Sequence, residues 1–166
     1  MFNGFRKAYY ALIIIHVGIT LGFALVFGTN HPFSSQYMIH DLYPLIASSA
    51  TLATLLYFIG GYLFVVSKEN LNKLLRYIFT AACVFTLFLL VIWFATRAFS
   101  MNGASRNIWL LYVIVNYPTA IIYNAIVDLE DLHAFVLILT ILPPALGFLS
   151  GSLLRLVYEP QWRKKV

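Results

Sequence analysis

The sequence predicts an all-α fold, a polytopic transmembrane helical bundle built from five apolar helical segments. Three observations predict it. Apolar residues make up 61% of the chain and charged residues 10%, against about 45–50% and about 25% in an average soluble domain. Mean hydropathy is +0.85 over the whole length, so lipid rather than water is the solvent this composition suits. The charged side chains also leave five windows without any of them, at 9–27, 43–66, 77–95, 108–127 and 134–154.

Each window is close to the roughly 20 residues that a helix needs to cross about 30 Å of hydrocarbon. Backbone groups in lipid must be satisfied within their own segment or in a closed barrel, and the alternating strands of a barrel, about 10 residues each, are absent. Helices follow. Disordered, collagen-like and coiled-coil classes are excluded with the same numbers. No repeat, linker or low-complexity tract divides the chain, so 1–166 is read as a single integral membrane domain.

The first segment follows Arg6 and Lys7. Its apolar run exceeds the about 7–15 residues of a signal-peptide core and no small-x-small pattern follows Phe27, so it is read as an uncleaved span. It carries His16, the one ionisable group of the usual kinds inside an apolar window. Such a group is a functional candidate by default, or else it donates to a hydroxyl or carbonyl of a neighbouring helix. A bis-histidine haem would need a second histidine within the membrane, whereas His31, His40 and His133 fall in loops or at span ends. Gly18 and Gly22 form a GxxxG pattern, which lets helix backbones approach.

The second segment carries a small-residue patch at Ala47, Ala50 and Ala53. The loop before it, 28–41, has no Lys or Arg, while 67–76 after it holds Lys68, Lys73 and Arg76, which orients the first hairpin with its N-terminus cytoplasmic. Cys83 lies in the third segment as a lone thiol in an apolar helix, where it is expected to act as a small hydrophobe. With no CxxC, thiol-disulfide exchange is excluded. Aromatic anchors are expected at both interfaces: Tyr9, Tyr10, Tyr77 and Trp162 on the cytoplasmic side, Trp93 and Trp109 opposite.

In the fourth segment Trp109, Tyr112, Asn116, Thr119 and Tyr123 recur every three or four residues and share one helical face. An asparagine in hydrocarbon is expensive unless bonded, so this polar stripe should face the bundle or a cavity, either as interhelical glue or as the lining for a polar or amphiphilic substrate. Pro118 removes a backbone donor beside it. The fifth segment holds a second GxxxG at Gly147 and Gly151.

Charge distribution bears on the fourth segment. If all five cross, Arg6, Lys7, Lys68, Lys73 and Arg76 lie on one side and Arg97, Arg106, Arg155, Arg163, Lys164 and Lys165 on the other, five against six. If 108–127 breaks and re-enters, Arg155 and the basic C-terminus join the first group and the ratio becomes nine to two, as the positive-inside rule favours. Length favours a full span and charge favours re-entry, so four or five crossings are both expected outcomes.

Asp128, Glu130, Asp131 and His133 form the densest polar stretch, and His31 and His40 would share a face with them under four crossings. Carboxylate and imidazole suit divalent metals, but the spacing matches no metal motif and a solvated loop is the simpler reading. Phosphate-loop, nucleophile-elbow and HExxH patterns are missing, and no acids pair within the membrane. No cofactor is called for. The net charge of +5 flanks the spans, where orientation and anionic lipid account for it, so nucleic acid is not an expected partner.

The function expected by elimination is that of a non-enzymatic multi-pass protein of the cell membrane, a subunit or accessory protein of a transport or envelope-assembly complex. Its partners would be membrane lipids and other integral membrane subunits, or further copies of the chain. One alternative is a small transporter or lipid-handling protein with its path along the Asn116 stripe. A second is a metal-dependent interfacial enzyme using the cluster at 128–133.

Overall fold

The computed structural model describes residues 2–27, 42–64, 71–101, 112, 114–116 and 134–158. Within them the chain forms four helices and no strand: α1 (Phe2–Phe27), α2 (Leu42–Phe64), α3 (Leu71–Met101) and α4 (Ala134–Tyr158). Three are long and apolar enough to cross a membrane, through Arg6–Leu25, Asn72–Phe99 and Thr140–Tyr158, and α2 adds the apolar stretch Ala50–Leu63. Four helices thus stand where five segments were expected. Most of 108–127 lies outside the described residues, with Tyr112, Ile114 and Val115 helical and Asn116 in a turn.

Local sequence explains the elements. α3 contains neither glycine nor proline and runs for 31 residues, well past the apolar window at 77–95. α2 carries Pro44 in its first turn, where a missing N–H leaves no helical bond unmade. α4 tolerates Pro143 and Pro144 near its middle, which requires other groups to satisfy the carbonyls those prolines release.

One stripe of each helix faces inward. On α3, Leu74, Ile78, Ala81, Phe85, Leu89 and Trp93 are buried at three- or four-residue spacing over its whole length. Trp93, expected as an interfacial anchor, is therefore a core residue. The helix continues past it to Met101, so the indole sits inside the bundle with Arg97 over its ring at 5.2 Å. Cys83 faces outward on α3.

The closest packing joins α2 and α4. A Cβ on Gly151 would overlap the Phe58 carbonyl, one on Gly147 would overlap the Thr54 carbonyl, and one on Gly61 would strike the backbone of Phe148. Glycines on both helices therefore let the backbones touch, the contact available where lipid removes any hydrophobic drive between helices. The register rises together along both chains: Gly147 meets Thr54, Gly151 meets Phe58, and Arg155 Nη1 donates to the carbonyls of Tyr62 and Leu63 at 2.6 and 2.8 Å. α2 and α4 are parallel.

That direction places the remaining ends. The link between Phe64 and Leu71 reaches at most about 25 Å when extended, less than the roughly 34 Å length of α2, so α3 starts at the face where α2 ends. α3, about 46 Å long, runs back along the bundle, and α4 starts at the face where α3 finishes. Arg155 meanwhile donates to the last carbonyls of α2 within its described range, and its guanidinium lies 5.8 Å from the Tyr62 ring.

Candidate functional site

At the centre of the bundle, polar groups from separate elements meet around His16. α1 turns Ala8, Leu12, Ile15 and Phe23 inward, and the same stripe carries the imidazole, 8% exposed. Nε2 lies 2.5 Å from the Val115 carbonyl, an acceptor, so this nitrogen carries the hydrogen and donates. In the uncharged ring Nδ1 then keeps its lone pair, and the fully buried Tyr57 hydroxyl of α2 donates to it. The edge of Phe85 on α3 closes one side, its centroid 4.8 Å from that of the imidazole.

Beside this cluster, Asn116 is completely buried. Its backbone N–H donates to the Tyr112 carbonyl at 2.9 Å. The side-chain Nδ2 donates to the Tyr112 hydroxyl at 3.2 Å and to the Thr140 carbonyl of α4 at 2.9 Å. In an unbroken helix the Thr140 carbonyl would receive the N–H of residue 144, and residue 144 is proline. The asparagine amide fills that vacancy. Val115 is the last described helical residue before the turn at Asn116, and its carbonyl accepts from His16. Histidine and asparagine thus each donate to a backbone oxygen within the apolar interior.

A cavity of about 380 Å³ opens from this cluster to the outside of the bundle, between α1, α3 and the stretch at 112–116. Ile13, Val17, Leu21, Phe85, Phe88 and Ile114 supply an apolar wall, with Tyr9, His16 and Thr20 as its polar-capable members. Thr51, Thr54, Thr80, Thr86 and Thr96 each donate to the carbonyl four residues earlier, at 2.7–2.9 Å. Thr20 does not: its Oγ1 is shielded and has no hydrogen-bond partner.

Of the polar stripe expected in the fourth segment, Tyr112 and Asn116 are brought together in the core, while Trp109, Thr119 and Tyr123 lie outside the described residues. The same holds for the metal candidates His31, His40, Asp128, Glu130, Asp131 and His133, and among the described residues no three His, Cys, Asp or Glu side chains cluster. Gly147 and Gly151 lie against α2. Gly18 and Gly22, expected against a helix, are exposed, and a Cβ at either would meet no atom of the described residues within 4 Å. The reason is rotational, since the buried stripe of α1, formed by Ala8, Leu12, Ile15, His16 and Phe23, is centred roughly 70–110° around the helix from the two glycines.

Tyr57, Thr20 and Arg155 were not singled out by sequence. Tyr57 carries a hydroxyl into an apolar helix and Pro144 frees a carbonyl, signals that were present, but neither says which residue answers it. No family model, curated protein or solved structure matches this chain.

Proposed function

We propose that the protein is a non-enzymatic multi-pass membrane subunit that binds a partner transmembrane helix along the Gly18 and Gly22 face of α1. The supporting observation is the unequal use of its two GxxxG motifs. One is consumed within the chain, against Thr54 and Phe58, and the other meets nothing among the described residues. A glycine inside a helix costs roughly 0.5–1 kcal/mol relative to alanine, so two with no contact among the described residues are unexplained by the packing those residues form. A second helix brought against them would use the close approach that small residues permit.

The parallel course of α2 and α4 supports a four-crossing topology in which 108–127 dips in and returns. Both termini then share the cytoplasmic face of the cell membrane, with the nine basic residues named above on that side. The transport-path alternative draws less support, because the Asn116 amide and the His16 ring are engaged in holding helices together. A lipid-handling role is favoured by one observation, the laterally open cavity beside His16.

Purification of the tagged full chain from its native membranes in mild detergent tests the proposal. A membrane protein recovered at near-stoichiometric yield is the expected result, and recovery of the chain alone and monomeric at every detergent concentration contradicts it.

A further inference from the structure

We infer that the cavity beside His16 holds one acyl chain of an anionic phospholipid, with the lipid phosphate against Arg6 near the start of α1. The inference stands apart from the partner-helix proposal. Gly18 and Gly22 lie roughly 140–180° around α1 from Ile13 in the cavity wall, so one surface can fail while the other holds.

Shape supplies the first argument. On α1 the cavity wall runs from Tyr9 to Leu21, a rise of about 18 Å and so close to the roughly 15 Å of hydrocarbon in one leaflet. The space is open at its side, because Val17, Leu21, Phe88 and Ile114 on the wall are all exposed. Its volume of about 380 Å³ is far short of the roughly 1,400 Å³ that a helix some 10 Å across would fill over that length. A single hydrocarbon chain fits where a helix does not, and it can enter sideways from the bilayer.

Charge supplies the second. Arg6 precedes Tyr9 by three residues and lies within about 60° of Tyr9, Ile13, Val17 and Thr20 around the helix, on the face that the cavity follows. Its side chain is exposed, and helical side chains lean toward the N-terminus. The guanidinium is thereby carried past the Tyr9 end of the cavity toward headgroup level, while its stem stays along apolar surface. Arginine meets a phosphate with a planar fork of donors. An apolar body with an anion at one end is what this pairing of wall and cation accepts, and a phospholipid of the surrounding leaflet has that form. Lys7, the next cation, is turned about 100° from Arg6 and away from the cavity face.

Native mass spectrometry of the full chain released from detergent tests this with three probes: phosphatidylglycerol, phosphatidylcholine with the same acyl chains, and glycerol 3-phosphate. Saturable binding of one phosphatidylglycerol, tighter than that of phosphatidylcholine, is expected, and glycerol 3-phosphate should not bind at the same concentration. Arg6→Gln should weaken phosphatidylglycerol about fivefold and leave phosphatidylcholine unchanged, with a smaller effect from Lys7→Gln. Val17→Trp, on the cavity wall, should weaken both lipids, and Arg6→Gln carries the test alone if that variant fails to fold. No saturable lipid binding, equal affinity for the two lipids, or glycerol 3-phosphate binding as tightly as phosphatidylglycerol would each overturn the inference. So would a loss in Lys7→Gln as large as in Arg6→Gln, or unchanged lipid affinity in folded Val17→Trp.

Discussion

The side-chain amide of Asn116 donates to the Thr140 carbonyl at 2.9 Å and stands in for the N–H that Pro144 cannot offer. A proline pair inside a membrane helix and an asparagine on a distant segment are thus two halves of one arrangement. The asparagine gains a buried acceptor and the helix keeps its carbonyl satisfied.

Removal of the amide should therefore matter less once the helix regains its own donor. Asn116→Leu is expected to cost about 1–3 kcal/mol, the penalty of an orphaned buried acceptor. In a Pro144→Ala background, where residue 144 again has an N–H, the same change should cost at least about 0.5 kcal/mol less. Equilibrium unfolding in bicelles measures both, and identical costs in the two backgrounds would refute the pairing.

His16 serves two elements and Tyr57 only one. Tyr57→Phe should cost about 0.6 kcal/mol, the average for a hydrogen bond between membrane helices. His16→Phe should cost more, about 1–3 kcal/mol, because the Val115 carbonyl loses its donor as well. The same unfolding assay ranks them, and a larger loss for Tyr57→Phe would show that Val115 does not depend on the histidine.

The two glycine pairs should respond with opposite signs. Gly151→Ala drives a methyl group into the Phe58 carbonyl and is expected to destabilise by about 1–3 kcal/mol. Gly18→Ala meets open space and should stabilise the isolated chain by about 0.5–1 kcal/mol through helix propensity. Equal destabilisation at both positions would mean that α1 is packed within the chain after all.

Much of the fold was legible because charge is so expensive in lipid that its absence outlines the spans. α4 begins at residue 134, as the charge-free window does, and Asn116, where the weak point was expected to begin, is a turn after the helical residues Ile114 and Val115. Helix rotation was not legible. Residues facing lipid are as apolar as those facing the core, so Phe85 and Phe88 read alike although Phe85 is buried and Phe88 exposed, and periodicity could not tell that Trp93 turns inward or that Gly18 turns outward. Pairing was hidden for another reason: Gly151 against Phe58 and His16 against Tyr57 are contacts between segments distant in sequence, and no local pattern encodes the partner.

The parallel course of α2 and α4 carries a topological consequence. In a Cys83→Ala background, Lys164→Cys should resist a membrane-impermeant maleimide applied to intact cells and react once the membrane is permeabilised. Labelling in intact cells would place the C-terminus outside and contradict four crossings.

The partner-helix account is tested most directly by measuring the stoichiometry of the co-purified membrane protein for the parent chain and for Gly18→Leu/Gly22→Leu. Both glycines have open space around them among the described residues, so the double variant should fold and melt at the parent's temperature or above. The account predicts that it loses the bound partner while remaining folded. A variant that is equally stable and still carries its partner at parental stoichiometry would contradict it.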